Sequence, residues 1–96
     1  MTNLYVTYTM PDKASRDAYY AEVRDRGIIK KSRNEEGCIR YEFFFPADSD
    51  TTLFLWEQWE SRDHQAVHRE TEHFAEMGLL KEKYSVTTDM LIEDSL

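Results

Sequence analysis

One cysteine, two prolines and three glycines are all that this 96-residue chain has of the residues that staple, break or loosen a backbone. A lone Cys38 cannot close an internal disulfide, a pattern that suits a reducing, cytoplasmic setting, and it reads as a small buried hydrophobe. So little Gly and Pro, beside 41 % hydrophobic and 32 % charged residues, excludes a disordered or low-complexity chain. Positive charge is scarce as well. Twelve Lys and Arg against 19 Asp and Glu leave a formal net charge of -7, which repels nucleic-acid phosphates and anionic membranes. No apolar run approaches the roughly 20 residues of a membrane span, and no basic start followed by an apolar stretch marks a secretory leader. The expectation is one domain over residues 1–96 with no nucleic-acid and no membrane partner. A chain this short buries only about 60 to 65 % of its unfolded surface, so a deep private pocket is hard to build without a second copy.

What is present is periodic. Leu4, Val6, Tyr8 and Met10 alternate with Asn3, Tyr5, Thr7 and Thr9, which is strand spacing. Pro11 and Asp12 stop that strand, and Ala14, Ala18, Ala21 and Val23 then follow helical spacing to about Arg26, with Gly27 as its end and IIKKSR able to continue helically. NEEG is a turn. A second strand runs from Cys38 to Phe45 with Ile39, Tyr41, Phe43 and Phe45 on one face, and Pro46 ends it. A third, Leu53 to Trp59, is apolar on both faces apart from Glu57 and Gln58. Ser61 is an N-cap for a helix over 62–69, Thr71 is an N-cap for another carrying Phe74 and Met77, and residues 84–93 form a last strand.

The order βαββαβ is an α+β split-βαβ pattern, an antiparallel sheet with its helices on one face. The uncovered face is expected to carry Asn3, Tyr5, Thr7, Leu53, Leu55, Glu57 and Trp59, too apolar a patch for a monomer. A homodimer whose two sheets close into a barrel follows.

The stretch EQWESRDHQAVHRETEHF holds all three histidines. His64 and His68 are four apart on one helix face, which suits two metal ligands, yet the sequence offers neither a His-Glu-x-x-His motif nor a second Cys as further donors, so no metal is expected. His73 lies at a helix junction, where it either caps a helix or faces a pocket. Glu57, among Leu53, Leu55 and Trp59, must be paired, protonated or turned to a ligand. Trp59 offers a flat apolar wall to an aromatic ligand.

EEGCIRY at 35–41, LWEQWES at 55–61 and the spacing H-x-x-x-H-x-x-x-x-HF from His64 to Phe74 together resemble the antibiotic biosynthesis monooxygenase family, and within it the quinol monooxygenase branch. The resemblance spans essentially the whole chain. It implies ferredoxin-like subunits paired into a dimeric α+β barrel, each with a pocket between sheet and helices. It also implies oxygenation of a quinol or other electron-rich aromatic by dioxygen with no cofactor and no metal, the deprotonated substrate itself reducing oxygen. Carried over by position, His68 and His73 are the catalytic bases, and Asn3, Tyr5, Thr7, Leu55, Glu57, Trp59 and His64 bind substrate. Leu55 stands where polyketide oxygenases of the family have Asn, and Glu72 stands where many relatives have Pro.

Two other functions compete. Some members of the family isomerise or degrade small phosphorylated signalling carbonyls, which needs an anion-binding Arg such as Arg40 or Arg62. The barrel also serves non-catalytic dimeric binding modules, since a fold does not fix a function.

Overall fold

The computed structural model describes residues 1–95. Eight elements follow one another as β1 (Thr2–Thr9), α1 (Lys13–Asp25), α2 (Ile28–Arg33), β2 (Cys38–Phe44), β3 (Thr52–Trp59), α3 (Arg62–His68), α4 (Glu72–Lys83) and β4 (Thr87–Asp94). The strands form one antiparallel sheet in the order β2-β3-β1-β4, the ferredoxin-like arrangement of an α+β protein.

Local chemistry sets the helix ends. The Asp12 carboxylate accepts from the Ser15 amide at 2.7 Å and caps α1. Gly27, left-handed at φ 75°, separates α1 from α2, so IIKKSR continues as a second short helix. Ser61 and Thr71 cap α3 and α4 by accepting from the amides of His64 and Phe74. The core lies between the helices and one sheet face, where Leu4, Val6, Tyr8, Tyr41, Leu53, Leu55 and Trp59 meet Tyr19, Val23, Ile28, Met77 and Leu80.

Two strand expectations are corrected. In β3 both alternations are apolar, so hydrophobic pattern does not choose its face; pairing with β1 does. Leu4 lies opposite Glu57, Val6 opposite Leu55 and Tyr8 opposite Leu53. Opposed residues share a face, so Leu53, Leu55, Glu57 and Trp59 point to the helices rather than to the open side. The open side carries Asn3, Tyr5 and Thr7 with Phe54, Trp56 and Gln58. In β2, a bulge between Cys38 and Arg40 takes Ile39 out of the alternation, and Phe45 falls beyond the strand; both are exposed, while Tyr41 is buried.

The turn before β2 is anchored by the Glu60 amide, which donates to the Gly37 carbonyl at 2.8 Å. Gly37 has φ 81°, and a Cβ there would lie 2.3 Å from the His64 ring; Gly27 has open space around it. Gly27→Ala should therefore cost about 1–2 kcal/mol from backbone alone, and Gly37→Ala clearly more. Urea unfolding of both variants checks this, and equal losses would contradict the packing of His64 on the turn.

Candidate acid–base site

The site sits where the end of β3, the turn before β2 and the α3–α4 junction meet. Helix α3 carries His64 and His68 one turn apart. His64 Nδ1 pairs with Ser61 Oγ at 2.7 Å, whereas His68 turns inward and is 2 % exposed. Thr71 Oγ1 donates to the His68 carbonyl at 2.8 Å and accepts from the Phe74 amide at 3.2 Å, so one side chain closes α3 and opens α4. This brings His73, in the first turn of α4, to within 5.7 Å of His68, ring centre to ring centre.

From the opposite side the turn supplies Glu35. Its Oε2 accepts from His68 Nδ1 in a short hydrogen bond and from His73 Nε2 at 2.8 Å. An ionised carboxylate only accepts, so each of those ring nitrogens carries a proton. The neutral His68 ring is thereby fixed with its lone pair on Nε2, which faces Glu57 Oε1 at 4.0 Å. That distance is too long for a direct hydrogen bond. Glu57 Oε1 accepts from Trp59 Nε1 at 3.1 Å, and the Trp59 ring lies 4.9 Å from the His68 ring.

Burial pushes the Glu57 carboxyl up to about 7; the Trp59 hydrogen bond and the Lys81 charge pull it back, and Glu35 raises it further. Burial also lowers His68 below its ordinary value, against the pull of Glu35 toward the charged form. The pair is thus a neutral imidazole beside a carboxyl that exchanges its proton near neutral pH. Lys81, lowered chiefly by its own burial, reaches the same region with Nζ 4.9 Å from the Tyr8 ring centre. Burial lifts the Cys38 thiol to about 11, which favours its protonated form at neutral pH.

The structure brings together His68, His73, Glu57 and Trp59, with Leu55 in the adjoining core. It separates them from Asn3, Tyr5 and Thr7, which lie across the sheet; Asn3 Oδ1 there accepts from Trp56 Nε1 and Gln58 Nε2 at 3.1 and 3.0 Å. The seven residues expected to bind substrate therefore do not share one pocket. His64 instead lines a cavity of about 420 Å³ beside Glu35, with Glu36, Asp63, Val67 and Thr71. Arg40 pairs with Glu42 and covers Trp56 on the open face, and Arg62 pairs with Asp94, so neither reaches the histidines as an anion-binding group. Glu35, which joins the two histidines, is the residue of this cluster that the sequence does not single out. Its only signal was its place in the EEGC turn, which carries no spacing relation to the histidines.

A family model for antibiotic biosynthesis monooxygenases matches residues 4–78, and the chain belongs to that family. An uncharacterized protein of Synechocystis is 35 % identical over 49 residues, a match that covers 51 % of this chain and 33 % of that protein. The chain thus spans about a third of that curated relative's length. Among solved structures, a conserved protein of unknown function from Bacteroides thetaiotaomicron superposes with a TM-score of 0.86 at 20 % identity, covering 98 % of this chain and 96 % of that one. A candidate antibiotic biosynthesis monooxygenase from Nitrosomonas europaea gives 0.84 at 21 % identity over 99 % and 90 %. At such identities these two likenesses establish the shared fold.

The raised Glu57 has a sign that can be measured. From the ordinary 4.5 up to about 7 the folded protein holds a proton that the unfolded chain has released. The stability this group contributes is full below 4.5 and is lost as the pH rises to about 7. His68, being lowered, acts in the opposite sense and loses stability as the pH falls below its ordinary value. Glu57→Gln should accordingly gain on the wild type between pH 4 and pH 8, by about 1.4 kcal/mol for each pH unit between the two Glu57 values. Chemical denaturation at both pH values checks this, and a pH-independent difference would mean that Glu57 holds its proton equally well in the folded and unfolded chain.

Proposed function

We propose that the protein is a cofactor-independent monooxygenase acting on a quinol or a similarly electron-rich aromatic, with His68 as the base. The observation that carries this reading is the His68 Nε2 lone pair, oriented by Glu35 and set 4.0 Å from Glu57 Oε1. An oxygen atom lying beside the line between those two atoms reaches both at about 2.8 Å, ordinary hydrogen-bond length. A phenolic hydroxyl there gives its proton to Nε2, while Glu57 in its protonated form donates to the same oxygen. Trp59 and Tyr41 supply apolar walls, and the low polarity keeps the reduced oxygen species from water.

The deprotonated ring then passes one electron to dioxygen, and the radical pair combines. One oxygen atom enters the ring and the other leaves as water, with all the electrons drawn from the quinol. His73 holds Glu35 in place from the other side and so acts through it. Entry runs through the cavity beside Glu35, whose volume suits a small aromatic. Removal of the His68 base should lower turnover by about 10²–10⁴-fold. Oxygen uptake measured with a panel of quinols tests this for the wild type and His68→Ala; no uptake above the uncatalysed rate with any of them would overturn the reading.

The functional unit in this reading is a homodimer. Strand β4 is exposed along its whole length; Leu91, 67 % exposed, lies opposite Tyr5 on the open face, and Phe44, opposite Phe54, adds to that face. A second sheet laid on that face would cover Tyr5, Trp56 and Leu91 together. Leu91→Glu should convert a dimer into a monomer of lower thermal stability. Light scattering on a sizing column decides, and a monomeric wild type would remove the dimer from the scheme.

A further inference from the structure

We propose that Glu35, His68 and His73 bind one divalent transition-metal ion, through Glu35 Oε2, His68 Nδ1 and His73 Nε2. Among the described residues these three donor atoms lie within 4.8 Å of one another, on side chains that are buried or nearly so. They come from three different elements, the turn before β2, the end of α3 and the start of α4, so their convergence is a property of the fold rather than of one helix. Two imidazole nitrogens and one carboxylate oxygen form a donor set for zinc, cobalt, nickel or iron, and a poor one for magnesium or calcium. The third ligand is not legible from residue spacing, because Glu35 stands 33 residues from His68 along the chain.

The adjustment required is a withdrawal of the Glu35 carboxylate. Bonds of about 2.0–2.2 Å around a tetrahedral ion set neighbouring donors roughly 3.3 Å apart. Glu35 Oε2 lies closer than that to both ring nitrogens, so the carboxylate has to draw back from each ring to admit the ion, while the three donors already lie within 4.8 Å of one another. Of the three ligands Glu35 also lines the cavity of about 420 Å³, the source of a water for a fourth position. Each ring keeps one proton, moved to its other nitrogen. For His68 that places the proton on Nε2, on the side of the ring that faces Glu57 at 4.0 Å.

The consequence for turnover rests on the function proposed above. An ion on His68 Nδ1 turns Nε2 from proton acceptor into proton donor, so metal binding switches the base off and inhibits oxidation.

Calorimetric titration with zinc ions, repeated with cobalt ions followed by visible absorption, tests the site independently of activity. One equivalent per chain is expected, with the intense visible bands of four-coordinate cobalt. Glu35→Gln and His73→Ala should each weaken zinc binding at least tenfold, while His64→Ala leaves it unchanged. Circular dichroism reports whether the variants fold; Glu35→Gln keeps the shape of the side chain and decides alone if His73→Ala does not. No binding to the wild type, or equal binding by wild type and Glu35→Gln, would overturn the site. Zinc binding is read without any substrate, so a protein that binds zinc as described but oxidises no quinol refutes the oxidation and supports the metal site.

Discussion

The register of β3 against β1 is the constraint on which the rest of the site depends. With Leu4 opposite Glu57, both Glu57 and Trp59 project toward the helices, where His68 meets them. A slip of one residue would turn every β3 side chain over, leaving a carboxylate on the open face and Phe54 and Trp56 in the core. The neighbouring pairs hold the register. Leu53 and Leu55 are fully buried against Tyr8 and Val6, while on the other face Asn3 accepts from both Trp56 and Gln58 and so locks the same alignment from outside. Each fully buried Leu contributes on the order of 1.5–3 kcal/mol, which outweighs the cost of placing Glu57 among apolar neighbours.

That cost sets the proton affinities of the buried pair. A carboxyl removed from water holds its proton more tightly, and an imidazole removed from water holds its proton less tightly. Glu57 and His68 are therefore driven toward one another in proton affinity, and a group between them meets both a base and an acid at neutral pH. Glu35 keeps this pair from being an accident of burial. Being less enclosed than His68 and bonded to two rings, it fixes which nitrogen of His68 carries the proton.

Most of the fold was legible in the sequence because it rests on local chemistry: the alternation in β1, the caps Ser61 and Thr71, and the stops at Pro11, Asp12 and Pro46 all act within a few residues. The face of β3 was not legible, since Leu-Phe-Leu-Trp is apolar in both alternations and only the partner strand selects one. The same holds for Ile39, whose bulge depends on how Cys38 and Arg40 meet β3. In the site, His68, His73, Glu57 and Trp59 stood out through residue type and through the family resemblance. Glu35 did not, because a carboxylate in a polar turn looks like any solvated acid until the turn is folded onto two histidines. The lack of a third ligand inferred for the histidines was in this sense a statement about sequence distance, not about space.

One carboxylate thus serves several demands that exclude one another. Its lone pairs hold the protons of His68 and His73, and the same lone pairs are what a cation would take. Whatever occupies Glu35 decides the proton on the far side of the His68 ring, some distance from Glu35 itself, because an imidazole with one nitrogen engaged has its other nitrogen determined. The cavity beside Glu35 is consequently coupled to the buried pair through a rigid ring rather than through backbone motion. In a domain too small for a deep private pocket, that coupling lets a group near the surface set the state of a base that solvent does not reach.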